Sequence, residues 1–168
     1  MYGADSSGRV TGDYDYAVVV PVRVVDGDTL WVRSLYGFKA GQRFKIRLAD
    51  IDAPELSTAA GKISREEMNR IASHYGCFVI VVDVHHPYDK YGRVVAVLLA
   101  PDVNGFRNVN YCLANGGFAE FVDYFNAFHP EDFSEYWDVP DYVARVALAL
   151  CSTAGAPSAY ALNTSSDH

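Results

Sequence analysis

Cysteine is scarce: Cys77, Cys112 and Cys151 are the three in a chain of 168 residues. Three scattered cysteines are too few for a disulfide framework, and no C-x-x-C pair suggests zinc or redox chemistry. The odd number fits a reducing compartment, and each cysteine is expected as a small buried hydrophobe. Long apolar runs are missing too. Residues 17–25 are broken by Pro21 and Arg23 and fall short of the roughly 20 residues a spanning helix needs, so no membrane role is expected. The first ten residues lack the basic start and apolar centre of a signal peptide. A cytoplasmic location is therefore expected, or secretion if a leader has been removed. Positive charge is in deficit, with 14 Lys and Arg against 21 Asp and Glu, a net −7. That balance argues against non-specific polyanion binding by the molecule as a whole.

Apolar residues are plentiful, at 50% with 14% aromatic, which excludes a mainly disordered chain. A chain of this length buries roughly 68–70% of its unfolded surface and folds without a staple. Charge is uneven. Residues 21–100 hold eleven basic and nine acidic groups; residues 101–168 hold two basic and nine acidic. The middle of the chain is a plausible polyanion site and the C-terminal part is not.

The patterning predicts one domain over residues 16–151, between flexible tails at 1–15 and 152–168. Residues 16–25 and 29–35 read as strands around the Asp26-Gly27 turn signal. Residues 43–51 alternate basic Arg43, Lys45 and Arg47 with apolar Phe44, Ile46 and Leu48, a half-buried strand with a basic face. Ala53-Pro54 ends it. Residues 61–74 have helical periodicity. The apolar runs 78–84 and 94–99 read as buried strands. Residues 108–115 form a short helix ended by Gly116-Gly117, and 141–150 form a further helix. Residues 118–142 mix nine aromatics with seven acids and show no clear period. They are expected as core beneath an acidic surface, with an oligomer interface as the sharper alternative. Five strands with a helix between the third and fourth predict an α+β, mainly β, fold. Its form would be a five-stranded OB-fold Greek-key barrel with about three flanking helices.

Three segments place unusual polar residues at strand ends: Asp26, Asp28 and Thr29; Arg47, Asp50, Asp52 and Glu55; and Asp89, Lys90, Tyr91 and Arg93. Alone, each is an ordinary charged turn. Together they suit phosphodiester chemistry. Asp28, Asp52 and Glu55 supply hard oxygen ligands and a base. Arg47 and Arg93 supply planar donor forks for a phosphate. His85 and His86 invite a zinc reading, but adjacent strand residues face opposite ways. Trp31 and Trp137 are expected in packing.

These motifs resemble the staphylococcal nuclease-like (thermonuclease) family over residues 18–125. The matching stretches are VVDGDT at 24–29, RLADIDAPE at 47–55, DKYGR at 89–93 and NVNYCLANGGFA at 108–119. The resemblance implies an OB-fold barrel with three helices and calcium-dependent hydrolysis of DNA and RNA to 3′-phosphate and 5′-hydroxyl ends. It implies Asp28 and Asp52 as metal-ligating carboxylates, with the backbone carbonyl of Ala53 as a further ligand. It implies Glu55 as general base, Arg47 and Arg93 as phosphate-binding arginines, and Lys90 and Tyr91 as holders of a terminal phosphate. The family's two pocket tyrosines fall at Asp123 and Phe125, so base stacking is expected from Phe125 or a shifted Tyr124. The short loop after Glu55 and the acidic stretch 119–142 also depart from the family's basic type member. Degenerate members that lose these side chains act as non-catalytic protein- or nucleic-acid-binding modules. Here Asp28, Arg47, Asp52, Glu55 and Arg93 are all present.

Overall fold

The structure, a computed structural model, describes residues 13–153, together with the backbone of a short pair, Gly3–Ala4 against Val10–Thr11. Five strands close into a ring: β1 (Tyr14–Asp26), β2 (Thr29–Gly37), β3 (Arg43–Leu48), β4 (Phe78–Asp83) and β5 (Val94–Asp102). β1 pairs with β2 and β2 with β3, both antiparallel. β3 runs parallel to β5, which pairs back through β4 to β1. β6 (Gly105–Asn108) and the two-residue strand Tyr136–Trp137 extend the sheet beyond β5 to seven strands. With α1 (Ala59–Tyr75), α2 (Val109–Asn115) and α3 (Asp141–Thr153), this is the expected α+β architecture with an OB-like barrel. Among the described residues no helix is long and apolar enough to cross a membrane.

Local chemistry explains these elements. In β3 the apolar Phe44, Ile46 and Leu48 are buried while Arg43, Lys45 and Arg47 stay wholly or partly accessible, the period of two expected of a half-buried strand. α1 starts at Thr58, whose hydroxyl accepts from the Gly61 N–H, and stops at Gly76 in the left-handed region, where a side chain would be strained. Asn108 caps α2 by accepting from the Tyr111 N–H at 3.0 Å.

Several expectations change. The predicted third strand over 43–51 ends at Leu48, because Ala49 and Asp50 form a turn and Asp50 has φ +56°. Ile51–Asp52 then pairs with Glu120–Phe121 instead. β1 begins at Tyr14, inside the predicted tail, and β6 had no counterpart in the sequence pattern. The predicted C-terminal tail lies outside the described residues beyond Thr153.

Two apolar cores flank the ring. The first fills the barrel and the space beneath α1 and α2, around Leu30, Ile46, Leu48, Met68, Phe78 and Leu98. The second lies outside β4 and β5, under α3 and residues 118–142, around Val79, Val81, Leu99, Phe128, Phe133 and Val143. Phe128 stacks on Tyr14 at 5.2 Å, and Trp137 sets its edge on Tyr14, Phe128 and Phe133. Phe128 and Phe133 are therefore core, as expected, and Trp137 packs against them, whereas Phe121, Tyr124, Phe125 and Tyr142 of the same stretch are exposed. Trp31 sits beside the Lys45 ammonium, 5.4 Å from its ring centre.

The second core also overturns the reading of the cysteines. Cys77, just before β4, and Cys151, in α3, form a disulfide with Cα atoms 5.4 Å apart, and both are buried. Their separation of 74 residues hides the pairing from sequence inspection. A bridge of this kind belongs to an oxidising environment, contrary to the reducing compartment that the odd number suggested. Cys112 is the free thiol.

Candidate active site

The end of β1, the end of β3 and the turn after β3 meet at one edge of the barrel. Gly27 is required there: a Cβ would come within 1.8 Å of Ser64 Oγ on α1. This close approach holds the turn against the helix. Asp26 Oδ1 accepts from the Asp28 N–H at 3.0 Å, and the Asp28 carbonyl accepts from the Leu48 N–H at 2.8 Å. The Asp28 carboxylate is thereby carried inward. Its Oδ1 accepts from the Thr29 hydroxyl at 3.0 Å and its Oδ2 from the Ala53 N–H at 2.7 Å. Burial pushes the Asp28 carboxyl above its usual range, against the opposing pull of Arg47.

Arg47 is the hub of this corner. Its Nη1 donates to the carbonyls of Leu48 at 2.7 Å and Ile51 at 2.8 Å. Its Nη2 donates to Asp52 Oδ1 at 2.9 Å and lies 3.4 Å from Asp28 Oδ2. Asp28, Asp52 and Ala53, the expected metal ligands, are thus drawn together around one guanidinium. Among the described residues, however, no group of three or more His, Cys, Asp or Glu side chains could hold a metal ion. The donor set still suits a hard cation. It offers two carboxylates, one of them buried, and an adjacent backbone carbonyl, the oxygen chemistry calcium takes.

Glu55 follows on the turn into α1. Its carbonyl accepts from the Thr58 N–H at 2.9 Å and the Thr58 hydroxyl at 2.6 Å. A Cβ at Gly61 would lie 1.9 Å from the same oxygen. The backbone of Glu55 is therefore pinned while its side chain is exposed. It does not line the cavity described next.

A cavity of about 510 Å³ opens beside Arg47, bounded by Asp50, Arg93, Tyr91, Tyr124 and Phe125. Asp89 shapes one wall. Its Oδ1 accepts from the N–H groups of Tyr91 at 2.9 Å and Arg93 at 3.0 Å, and its Oδ2 from Arg93 Nε at 2.7 Å. Gly92 takes φ +79° to close this turn. Burial raises the Asp89 carboxyl, but the hydrogen bonds from Arg93 and Tyr91 outweigh it and hold it below the usual range. With Nε committed, Arg93 presents its two Nη nitrogens. The Tyr91 ring lies 5.2 Å from the Arg93 guanidinium carbon and 5.2 Å from Lys90 Nζ, and Tyr91 is 71% exposed.

Tyr124, Phe125 and Asn126 form a second wall. The Tyr124 ring centre is 6.0 Å from the Arg47 guanidinium carbon. Phe125 is 88% exposed and meets the His86 ring edge-on at 5.1 Å. Asp123, by contrast, does not line the cavity; it lies 3.7 Å from His129. His85 and His86 lie on the turn after β4 rather than on a strand; His85 approaches Asp13 at 3.4 Å and His86 approaches Asp83 at 3.5 Å.

Two further residues support this corner. Asn110 is buried in α2; its Oδ1 accepts from the Leu98 N–H at 3.0 Å and its Nδ2 donates to the Ala49 carbonyl at 2.9 Å. It ties the turn after β3 to β5. Asn126, whose Oδ1 accepts from the Phe128 N–H at 2.8 Å, lines the cavity. An asparagine between apolar neighbours, as in Val109-Asn110-Tyr111, is the one signal that might have found the first; the second has none. Asp50 is fully buried, and burial pushes its carboxyl up to about 7.

Comparison with known proteins agrees with this geometry. The family model described as Staphylococcal nuclease homologue matches residues 45–138. A protein of Escherichia coli named uncharacterized endonuclease is 33% identical over 123 residues, 73% of this chain and 65% of its own length. The chain thus spans about two thirds of that relative. A protein of Shigella flexneri named micrococcal nuclease is 31% identical over 136 residues, 78% of this chain and 71% of its own. The family match takes in β3, Arg47, the carboxylates that follow it, and both walls of the cavity, so this chain belongs to the staphylococcal nuclease homologue family.

Proposed function

We propose that this protein is a calcium-dependent nuclease that hydrolyses DNA and RNA, single strands in preference, to 3′-phosphate and 5′-hydroxyl ends. One observation carries this: Arg93, whose Nε is held by Asp89, lines the same cavity as Arg47, and Arg47 in turn contacts both Asp28 and Asp52. The names of the relatives support the same class of reaction.

Asp28, Asp52 and the carbonyl of Ala53 would hold the calcium ion, which when bound polarises a phosphoryl oxygen. The remaining work belongs to side chains. Arg93 binds a non-bridging phosphate oxygen through its Nη nitrogens. Arg47 places its charge at the same edge, and Asp52, whose side chain is 53% exposed, is the partner able to leave Nη2 and free it for phosphate. Glu55 takes a proton from the attacking water. The water oxygen bonds to phosphorus as the P–O5′ bond breaks, the 5′ oxygen leaves with a proton taken from solvent, and the phosphate stays on the 3′ side. Both arginines stabilise the charge that develops. Lys90 and Tyr91, which line the cavity beside Arg93, would hold a terminal phosphate, and Tyr124 and Phe125 would offer rings for a base. The acidic C-terminal third, which also supplies the wall of Tyr124 and Phe125, repels a long duplex more than a short single strand, which presents fewer phosphates to it.

The test is to incubate labelled single-stranded DNA with the protein in millimolar calcium or in excess chelator and to analyse the end groups. Cleavage with calcium alone, leaving 3′-phosphates, is expected. Undiminished cleavage in chelator removes the calcium requirement, and binding without cleavage points to a non-catalytic module. Glu55→Gln should slow turnover while leaving calcium affinity nearly intact; full turnover in that variant would remove Glu55 from the base role.

A further inference from the structure

The cavity wall that carries Tyr124 and Phe125 has little regular structure of its own. Between Glu120–Phe121 and the 3₁₀ turn Pro130–Asp132 the chain forms neither helix nor strand. Three of its polar groups nonetheless converge on one residue. The Asp50 carbonyl accepts from the Val122 N–H at 3.0 Å. Asp50 Oδ1 accepts from the Tyr124 N–H at 3.3 Å and from Asn126 Nδ2 at 2.9 Å. Asp50 is fully buried and left-handed, at φ +56°. Few side chains suit that place. A β-branched or long residue is strained in the left-handed region, and glycine, which tolerates it, has no acceptor to offer; aspartate and asparagine satisfy both demands.

Asp50 also stands two residues from Asp52 and three from Arg47. The residue that ends β3 and leads into the charged corner is therefore the one on which the aromatic wall hangs. We propose that Asp50 is a positioning residue. It fixes Tyr124 and Phe125 at a set distance from Arg47, so that a nucleobase stacks on the wall while its phosphate reaches the guanidinium groups. This rests on the nucleic-acid reading above and adds to it the residue that registers base against phosphate.

The test compares full-length wild type with Asp50→Gly, which keeps the left-handed backbone and removes the acceptor, and with Asp50→Asn, which keeps both. Three quantities are read: steady-state cleavage of a short single strand with calcium, affinity for a dye-labelled oligonucleotide, and amide exchange at Val122 and Tyr124 against barrel amides such as Ile46 and Val97. In Asp50→Gly, KM is expected to rise about tenfold with kcat within about threefold, as for lost hydrogen bonds that position the substrate site. Oligonucleotide affinity should fall in parallel. Exchange should accelerate at Tyr124, and neither at Val122, whose bond to the carbonyl of residue 50 the variant keeps, nor in the barrel. Asp50→Asn should restore KM, affinity and exchange to within about threefold of wild type. An unchanged KM in Asp50→Gly, a parallel loss of kcat, faster exchange across the barrel, or no rescue by asparagine would each overturn the proposal. If wild type cleaves nothing, the proposed activity fails by itself, while affinity and exchange still decide the role of Asp50.

Discussion

The two arginines at the cavity are held in opposite ways. The Arg47 side chain is 12% exposed and surrounded by two backbone carbonyls and two carboxylates. The Arg93 side chain is 26% exposed and leans on a single carboxylate, Asp89, within one turn. Arg47 is rooted in the barrel, and its charge neutralises Asp28 inside the protein. Arg93 belongs to a surface turn and is available to a ligand. Under the proposed function one guanidinium thus joins stability to catalysis, while the other carries little structural duty.

The sharpest way to break that contrast is to truncate each arginine in turn. Arg47→Ala should lose about 10²–10³ in rate, the usual cost of one donor to developing charge. It should also lose about 3–5 kcal/mol of stability, because Asp28 is left buried without its partner. Arg93→Ala should lose a similar factor in rate but about 1 kcal/mol or less in stability, as for a partly exposed pair. Cleavage kinetics and urea unfolding on the same samples check both. Equal stability losses would erase the distinction. Arg47→Lys should not rescue, since an ammonium lacks the planar fork.

Next in size is the disulfide of the second core. Replacing Cys77 and Cys151 together by serine should lower stability by about 4 kcal/mol on the chain-entropy account, with cleavage at low temperature largely kept. A midpoint unchanged under reducing conditions would show that the second core holds without its bridge.

A smaller effect is expected from Asp89→Asn. It keeps the turn's N–H acceptor and weakens the charge-assisted bond to Arg93 Nε, so phosphate binding should drop by about tenfold, in line with hydrogen bonds to charged groups, with an unchanged unfolding midpoint. Loss of the midpoint would place Asp89 in the fold rather than the site.

The smallest is a pH effect in the second core. Burial, helped by the Asp83 charge, pushes the Tyr14 phenol up to about 12 from an ordinary 10. The folded state holds that proton more tightly than the unfolded state. The contribution to stability is therefore fully present below pH 10 and is lost as pH rises from 10 toward 12. Tyr14→Phe should flatten the fall in stability over that window, as read by thermal unfolding across an alkaline series. An identical fall in the variant would assign it to other groups.

The contrast also marks what could be read from the sequence. The Arg47 side was legible: the alternation of Arg43 through Leu48 is local, and Asp28, Asp52 and Glu55 lie in short motifs whose spacing carries their chemistry. Arg93 was legible for the same reason. What escaped depends on partners distant along the chain. Asp50 looked like one more strand-end carboxylate until Val122, Tyr124 and Asn126 arrived on it, more than seventy residues later. The segment 122–129 has no period because side chains rather than a ladder satisfy its backbone; the Ala127 N–H, for instance, donates to Asp83 Oδ2 at 3.0 Å. The Cys77–Cys151 pairing depends on the packing of α3 against β4, which spacing alone does not encode.

That bridge partitions the residues of the proposed site by chain topology. The covalent loop it closes encloses Asp89, Arg93, Tyr124 and Phe125, whereas Asp28, Arg47, Asp50, Asp52 and Glu55 all precede it. During synthesis the earlier group can emerge and begin to fold before Cys151 has been translated, but the later group cannot be locked until α3 leaves the ribosome and meets an oxidant. A nascent or reduced chain would then close its barrel through β4 and β5, which lie inside the loop, before α3 is fastened covalently over the second core.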